Sequence, residues 1–460
     1  MALAPTIEGG IIEAGDDAPA AEVGGPWPRR SLAWYSLALF SLATMMNFFD
    51  ANVFPLMIEQ IKRDFHLTEI QLGLLLGPAG VLFFLVIGIP LARLVDTYRR
   101  TAILGIGLIV TSSMTAAGGI VQGYGQLFFS RMMVGVGATA HAPGTYSLLS
   151  DLFPPRLLPR AFAFLQSGFI GGLGFASIVG GAMLAYTASW PPTQVGPFLI
   201  RNWQWVLIAT GIPGLVIAAL ILMLPEPPRR GRLTDGRALP VREVLREIHA
   251  RGAVYYPMFI GLALSSVESQ GILQWRAPWM ERSYGWTPAQ IGAWQGITVF
   301  VAMPLGVALG TWTTERLAKR YKDAAVRTAT LAFALTTPFA IAAPLMPTGE
   351  LAILMVSIGG VFALAGAVPQ NAAIQSITPN EMRGQVTAVY LFMFTVFGAL
   401  GSFVIALVTT YIVGDPQKLW LSITMVAAVL LPLATFFLAR GIKPYGREVQ
   451  RLEALAAARA

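Results

Sequence analysis

The stretch Ala92-Arg93-Leu94-Val95-Asp96-Thr97-Tyr98-Arg99-Arg100 is a short charged turn between two long apolar segments. A related turn, Thr311-Trp312-Thr313-Thr314-Glu315-Arg316-Leu317-Ala318-Lys319-Arg320, separates two apolar segments later in the chain. In each turn a small residue is followed three or four positions later by an acid, and then by basic residues. A turn of acid and bases that recurs inside an apolar chain predicts two copies of one membrane-embedded unit.

The composition indicates that lipid surrounds most side chains. Of the 460 residues, 55% are apolar and 12% are charged, and the mean hydropathy is +0.63. Ordinary soluble domains carry about 25% charged residues, so a polytopic membrane protein is predicted. The chain has no cysteine, which excludes disulfides and thiolate chemistry, and its three His are too few for a His-rich metal site. We therefore expect no metal and no cofactor.

The apolar segments predict the fold class. A spanning helix needs about 20 mostly apolar residues, and about twelve segments meet this requirement. The fold class predicted is an all-α membrane protein, with twelve transmembrane helices arranged as two six-helix pseudo-symmetric bundles. The segments lie near 33–58, 69–92, 101–121, 125–152, 161–188, 202–224, 254–280, 287–311, 325–346, 350–376, 384–412 and 418–440.

The positions of the basic residues predict the orientation. The net charge is +8, but the bases lie in short loops between apolar segments, which is a topology signal and not a nucleic-acid-binding face. They cluster on every second loop and at both termini, so these parts are expected to face the cytoplasm. The predicted domains are a disordered cytoplasmic tail (1–30), a first six-helix bundle (31–224), a cytoplasmic linker (225–253), a second bundle (254–440) and a cytoplasmic C-terminal tail (441–460).

The linker contains one further predicted helix. Val241, Leu245 and Ile248 recur at helical spacing among charged residues. This pattern favours a short helix that lies on the inner membrane face.

Two patterns resemble the major facilitator superfamily over about residues 31–440. Asp96 and Arg100 match the superfamily's first inner-loop pattern, and Arg131-Met132-Met133-Val134-Gly135-Val136-Gly137 is similar to its fourth-helix pattern Arg-x-x-x-Gly-x-Gly. Within the superfamily the chain is most similar to the Spinster-type branch, in the stretches Asn47 to Asp50, Trp275 to Gly285 and Gly310 to Arg320.

The resemblance carries implications for the substrate. Members of the Spinster-type branch are associated with lysolipids, sphingolipid phosphates and other amphiphiles, and their neighbours carry organic anions with protons or sodium. Two positions depart from the branch, because Ala51 stands where Arg is usual and Ala138 stands where Glu is usual. Both departures remove ionisable groups from the expected coupling site.

Asp50 and Arg131 are the first candidate site residues, because a charge inside a spanning helix is costly and marks function by default. Both lie in the outer halves of their segments, so they are expected at similar depth. The functional interpretation is a charge pair that substrate or protons break during transport. The alternative is a static pair that locks two helices together.

His141 and Glu268 are candidates for proton binding. The imidazole of His141 titrates near neutral pH, which suits a proton carrier. Glu268 lies in the polar patch Ser265-Ser266-Val267-Glu268-Ser269-Gln270, and burial would favour its protonated form. The alternatives are a His hydrogen-bonded in helix packing and a Glu bonded to neighbouring Ser or Gln.

Further polar residues are expected to line a cavity or to bind substrate. Arg276 is a candidate for an anionic head group, and the alternative is that it extends to the membrane interface. The others are amides, each of which alternatively joins helices to one another. They are Asn47, Gln166, Gln274, Gln295, Gln370 and Asn371.

The two charged turns are predicted to act as gates. Asp96 accepts hydrogen bonds from Arg100 and from a neighbouring helix N-terminus in this interpretation, which closes the inner side. The second turn supplies Glu315, Arg316 and Arg320. The alternative is that these charges only set topology.

These observations predict a secondary active transporter and not an enzyme. It is expected to move an amphipathic or anionic organic solute by alternating access with protons, or alternatively sodium, as a monomer in the bilayer of a bacterial-type plasma (inner) membrane. The alternatives are an uncoupled facilitator or exporter of lipid-like molecules and an organic anion:cation symporter. An enzyme would need converging nucleophile and base groups, and the sequence contains only isolated charges. No phosphate-cradling glycine loop with a Walker Lys is present, which argues against an ATP-driven pump.

Overall fold

The structure is a computed structural model. It describes residues 27–81, 98–139, 141–230, 241–379 and 382–457. Asp96 of the first charged turn and the predicted disordered tail as far as residue 26 lie outside the described residues.

The first half of the chain folds into helices with one short hairpin. The helices are α1 (Arg30–Val53), α2 (Ile58–Phe65), α3 (Glu69–Leu76), α4 (Arg100–Ala117), α5 (Tyr124–Thr139), α6 (His141–Leu152), α7 (Leu158–Thr187) and α8 (Asn202–Leu222). The 3-10 turn Phe54–Met57 joins α1 to α2. The antiparallel strands β1 (Thr193–Val195) and β2 (Phe198–Ile200) lie between α7 and α8.

The second half is helical throughout its described residues. Its helices are α9 (Val241–Ala250), α10 (Gly252–Tyr284), α11 (Pro288–Ala318), α12 (Ala324–Ala342), α13 (Gly349–Ile377), α14 (Arg383–Leu407) and α15 (Leu419–Ala457). A π-helical turn, Val408–Val413, extends α14, and 3-10 turns occupy Ala343–Leu345 and Pro416–Lys418. The predicted C-terminal tail is therefore helical as far as Ala457.

The same capping motif begins the second spanning helix of each half. Thr68 and Gln71 form a capping box at the start of α3, and Thr287 and Gln290 form one at the start of α11. Each Thr hydroxyl accepts from a backbone N–H that the first turn leaves unpaired, and each Gln accepts from the Thr backbone. The same number of positions separates the two Thr residues as separates the acids of the two charged turns. The caps therefore belong to the internal repeat.

Within the described residues, nine helices are long and apolar enough to span a membrane. Of the other three predicted segments, 69–92 runs into residues outside the description, and 125–152 is described as α5 and α6. The third, 254–280, corresponds to α10, whose 33 residues extend about 50 Å. The predicted count of twelve is consistent with this arrangement.

Corresponding helices pack in corresponding pairs in the two halves. In the first half α1 packs on α7 and α4 packs on α8; in the second half α10 packs on α14 and α12 packs on α15. These helices hold the same places in the order of spanning segments. The predicted pseudo-symmetry of two helical bundles is therefore visible in their contacts.

The halves meet through α7 on α11 and through α3 on α14. We call the end of the molecule at which α1 begins the termini end, and the opposite end the distal end. A Cβ on Gly292 would lie 2.0 Å from the carbonyl oxygen of Ser177, and one on Gly77 would lie 2.1 Å from that of Ala399. Only glycine permits such approach, and both contacts lie toward the distal end. The distal end is therefore where these helices hold the halves together.

The linker helix α9 packs against protein. Val244 and Ile248 are 1% and 5% exposed and belong to a cluster that includes Tyr445, near the C-terminal end of α15. Leu245 is 53% exposed and does not take part in this packing. The predicted helix is present, and its position on the inner membrane face stays a prediction.

Candidate functional site

Asp50 is buried near the distal end of α1. Its side chain is 7% exposed and accepts a hydrogen bond from the Thr115 hydroxyl of α4 at 2.7 Å. The contact joins two helices of the first half. Among the described residues, the Thr115 hydroxyl is the only group that donates a hydrogen bond to this carboxylate.

Arg131 of α5 lies close enough to Asp50 to interact with it electrostatically, without forming a direct ion pair in the described residues. The guanidinium carbon lies 4.3 Å from the ring centre of Phe54, in a cation–π contact. Arg131 is 6% exposed, and its Nε and Nη2 have no hydrogen-bond acceptor among the described residues. Asp50 and Arg131 thus lie near each other without the direct charge pair that the sequence predicts, and donors are left free on the guanidinium.

His141 forms no hydrogen bond with Asp50 or Arg131 among the described residues, and its partner is Thr44. Its Nε2 is 2.8 Å from the Thr44 hydroxyl of α1, and that hydroxyl donates to the Phe40 carbonyl oxygen at 2.8 Å. Since a hydroxyl has one proton to donate, His141 donates through Nε2 and Thr44 accepts. The contact is a hydrogen bond between packed helices, which corresponds to the alternative considered for this residue.

Asn47 is anchored within α1. Its Nδ2 donates to the Ala43 carbonyl oxygen at 3.0 Å, while its buried Oδ1 has no partner among the described residues.

Glu268 occupies the middle of α10 and is 6% exposed. Arg276, eight positions further along the same helix, interacts with it electrostatically. Arg276 is half-buried, and its Nε has no acceptor among the described residues. Gln274 is half-buried on the same helix.

The predicted amides have different surroundings. Gln295 reaches across the two halves, because Ser177 Oγ lies 3.5 Å from its Oε1. Gln370 is fully buried and donates to the Met258 carbonyl oxygen at 3.0 Å, so it joins α13 to α10. Asn371 accepts from Gln375 of its own helix at 3.2 Å, and Gln166 is exposed.

Arg100 forms a buried cluster at the termini end of the first half. The side chain is 3% exposed and donates to Asp151 at 2.5 Å and to Glu226 at 2.8 Å. The Thr101 backbone N–H also donates to Glu226, at 3.0 Å. Partial burial alone would raise the pKa of Glu226, but the Thr101 N–H and the Arg100 guanidinium outweigh it and hold that pKa below its ordinary value. Arg100 thus joins α4 to the ends of α6 and α8.

The second charged turn is solvent-exposed. Glu315, Arg316 and Arg320 are all exposed, and within the described residues none of them forms an ion pair. Arg316 lies over the Trp312 ring at 5.6 Å. No hydrogen bond or ion pair joins this turn to the first half in the described part of the chain.

An ion network at the distal end was not identified as a site from the sequence. Arg282 is 4% exposed and donates to Glu59 at 2.6 Å and to Glu69 at 3.0 Å. Arg63 donates to Glu281 at 2.9 Å, and Lys62 pairs with Glu69. Glu59 and Glu69 belong to the first half, whereas Arg282 belongs to the second. We call these six residues the distal network.

All members of the distal network except Glu69 line a cavity of about 600 Å³ at the distal end. The available sequence signal is Glu59 with Lys62 and Arg63 on one short helix, and Arg282 at the end of another. In the sequence, Lys62, Arg63 and Arg282 are bases in loops between apolar segments, and nothing there places them next to one another.

Two packed helical repeats that bury charges of both signs define a polytopic membrane transporter. The family model of the Major Facilitator Superfamily matches residues 40–402, and the chain belongs to that superfamily. The predicted superfamily and non-enzymatic nature are confirmed by this match, and the predicted fold class is confirmed by the solved structures of similar fold.

Relatives of known sequence include two transport-related proteins. An MFS-type efflux pump of Mycolicibacterium smegmatis is 23% identical over 396 residues, which cover 84% of this chain and 86% of that protein. Protein spinster of Drosophila melanogaster is 24% identical over 300 residues, which cover 63% of this chain and 47% of that protein. The predicted likeness to the Spinster-type branch is confirmed.

A solved structure shares the fold. It is a bacterial homolog to the human lysosomal transporter Spinster, in an inward-facing and unoccupied conformation. The TM-score is 0.77 at 21% identity, and the match covers 92% of this chain and 98% of that chain.

Proposed function

We propose that the chain is a secondary active transporter that moves an amphipathic or anionic organic solute by alternating access, with Asp50 and Arg131 as the group that couples substrate to protons. The MFS-type efflux pump among its relatives supports movement of a solute across the membrane. The identity of the solute is not part of the proposal.

The single observation that carries the proposal is the guanidinium of Arg131. A guanidinium has five N–H donors in a planar fork that matches carboxylate and phosphate groups. Burying these donors without acceptors is costly, yet Nε and Nη2 of Arg131 have none among the described residues. An anionic group of the substrate would supply the acceptors.

Asp50 provides the link to protons. While Asp50 is ionised, its charge offsets that of Arg131. When Asp50 takes up a proton, Arg131 is left with an uncompensated positive charge, which favours binding of an anion. A proton and an anion that bind together thus leave the net charge of the site, counted with the bound anion, unchanged, and this arrangement favours symport.

The orientation follows from the charge distribution. Basic residues cluster on the loops of the termini end, which we assign to the cytoplasm of a bacterial-type plasma membrane. The distal end then faces outward. Because the halves are held together at the distal end, the described conformation corresponds to the state that is closed to the outside. We take the transporter to act as a monomer in the bilayer.

An uncoupled facilitator of lipid-like molecules is the second candidate. Ala51 and Ala138 stand where the Spinster-type branch has ionisable residues, which favours transport without a coupled ion.

Flux in proteoliposomes separates the two candidates. Thermal-shift screening of the purified protein against organic anions and lysolipids first selects ligands, because a bound ligand stabilises the folded state by mass action. Labelled ligands are then tested for accumulation under an imposed pH gradient or an imposed sodium gradient. We expect accumulation with the pH gradient. Counterflow without accumulation would favour the facilitator, and absence of both across the panel would contradict the transporter proposal.

A further inference from the structure

The carboxyl group of Glu268 differs from that of Asp50 in its surroundings. Asp50 accepts from Thr115, whereas Glu268 accepts no hydrogen bond in the part of the chain that the structure describes. Its side chain is nevertheless only 6% exposed, at the centre of the 33-residue helix α10. Here α10 lies close to α14, since a Cβ on Gly401 would lie 2.0 Å from the Val267 carbonyl oxygen. Glu268 therefore lies in a part of α10 that packs closely against α14.

The neighbouring hydroxyl groups are directed elsewhere. Ser265 donates to the Leu262 carbonyl oxygen at 3.0 Å, and Ser266 donates to that of Ala263 at 2.9 Å. Ser269 similarly donates to the Ser266 carbonyl oxygen at 3.5 Å. The polar patch that surrounds Glu268 in the sequence therefore does not solvate its carboxyl group.

Charged groups near Glu268 are also few. Arg276 acts on it electrostatically but lies too far for an ion pair. Apart from Arg276, no described titratable residue of α10 or of the helices that pack against it acts appreciably on Glu268. On the helices that pack against α10 these residues are Glu315 and Arg316 on α11, Glu350 on α13, Arg383 and Tyr390 on α14, Tyr411 in the π-helical turn that extends α14, and Arg440, Lys443, Tyr445, Arg447, Glu448, Arg451 and Glu453 on α15. Helix α9 adds Arg242, Glu243, Arg246, Glu247 and His249 at the termini end. On α10 itself, Tyr255, Tyr256, Glu281, Arg282 and Tyr284 lie near the ends.

A buried carboxylate without donors is unfavourable, so the group binds either a proton or a metal cation. Alkali and alkaline-earth cations need several oxygen ligands, as the six to eight of Ca²⁺ illustrate. The three Ser hydroxyls that would offer such oxygens point along their own helix, and the described residues form no acidic cluster beside Glu268. These surroundings favour a proton.

We propose that Glu268 is a second proton-binding site, located in the second half and separate from Asp50. In the conformation described, the carboxylate takes a proton from solvent to form the neutral acid, with no other bond made or broken. When the halves move and water or Arg276 reaches the carboxyl, the proton returns to solvent. The inference rests on the proposed function in that the proton is carried through a transport cycle.

Infrared difference spectroscopy of the purified protein tests the site without any substrate. Spectra recorded across a pH titration report the carbonyl stretch of protonated carboxyl groups, which shifts on exchange into D₂O. We expect a pH-dependent band from a buried acid that is lost in Glu268→Gln and retained in Asp50→Asn. A band that is unchanged in Glu268→Gln, or no pH-dependent band in the wild type, would overturn the proposal.

Two further measurements cover the remaining outcomes. If Glu268→Gln fails to fold, Glu268→Asp decides, because moving the acid by one methylene is expected to shift the band, and an unshifted band contradicts the assignment. Titration with NaCl against choline chloride at constant pH distinguishes the two cations. Loss of the band specifically with sodium would contradict the proposal and indicate that Glu268 binds sodium instead of a proton. Because the readout is protonation and not flux, failure of this site is distinguishable from failure of the transporter proposal.

Discussion

The Arg282 guanidinium of the second half lies 2.6 Å from the Glu59 carboxylate of the first half, although 223 positions separate them in the chain. The same guanidinium contacts Glu69 at 3.0 Å, so one buried side chain joins two acids of the opposite half. Opening the distal end would require these contacts to break. Arg282 therefore stabilises the distally closed state relative to the open one.

Replacing Arg282 by Ala is expected to favour the distally open state. Hydrogen bonds to charged groups contribute about 1.5–3 kcal/mol each, so the population of the open state should rise roughly tenfold or more. The chain has no cysteine, so single cysteines report accessibility cleanly. Ser177→Cys lies in the contact between the halves, and its maleimide labelling rate should rise in the Arg282→Ala background, whereas an exposed Ser283→Cys should label equally in both.

Arg63 provides the matched control for Arg282. Its side chain is 67% exposed and pairs with Glu281, also across the two halves. An exposed pair contributes at most about 1 kcal/mol, so Arg63→Ala should change labelling at position 177 only slightly. Equal effects of Arg63→Ala and Arg282→Ala would contradict the special role of the buried residue.

The proposed role of Asp50 predicts that Asp50→Asn abolishes gradient-driven uptake. The amide keeps the size of the side chain and can still accept from Thr115, but it cannot bind and release a proton. Uptake of a ligand selected by thermal shift is measured under an imposed pH gradient. Thr115→Val removes the hydrogen bond while keeping the carboxyl, so proton dependence should persist there. Unchanged uptake in Asp50→Asn would refute the assignment.

Arg131→Lys tests the proposed anion contact. Lysine keeps the positive charge but lacks the planar fork that binds an anion through two hydrogen bonds. We expect the apparent affinity for an anionic ligand to fall about tenfold, which corresponds to about 1.4 kcal/mol. The KM for uptake should rise while a neutral amphiphile from the same screen is affected less. An equal loss for both ligands would indicate a structural role only.

The Glu226 contact predicts a pH dependence of stability. Because the folded-state pKa of Glu226 lies below its ordinary value of 4.5, its contribution is present above that pH and is lost as the pH falls through the lower folded-state pKa. Thermal unfolding followed from neutral to acidic pH should show this loss in the wild type. The Glu226→Gln variant should be less stable at neutral pH and should show a smaller decrease on acidification. Parallel curves for the two proteins would contradict it.

Gly292→Ala should weaken the contact between the halves. The added methyl group would collide with the Ser177 carbonyl oxygen, so α7 and α11 must separate locally. Gly360→Ala is the control, because a Cβ there meets no atom within 4 Å and alanine favours a helix more than glycine does. Gly292→Ala should increase distal accessibility, measured by labelling of a cysteine at Ala399, while Gly360→Ala should not. Equal labelling in both variants would argue against a role for this close approach.

Prediction from sequence succeeded where local composition carries the information. The apolar segments and the internal repeat follow from short stretches of chain. The proximity of Asp50 and Arg131 was also predicted, since the cost of burying a charge limits where each can lie. The packing of Val244 and Ile248 of α9 in one cluster with Tyr445 was not predicted, because Tyr445 lies some two hundred positions away in the chain.

The sequence by itself determined that the chain is a repeated, membrane-embedded helical protein with a few buried charges, because lipid imposes its requirements on each segment separately. Only the tertiary structure decided which charges meet. The charged turn that begins at Ala92 ends in Arg100, which pairs within its own half with Asp151 and Glu226. The buried ion pairs between the two halves are formed instead by Arg282, at the other end of the molecule. Pairing energy depends on distances between distant segments, and those distances exist only once the two bundles have packed.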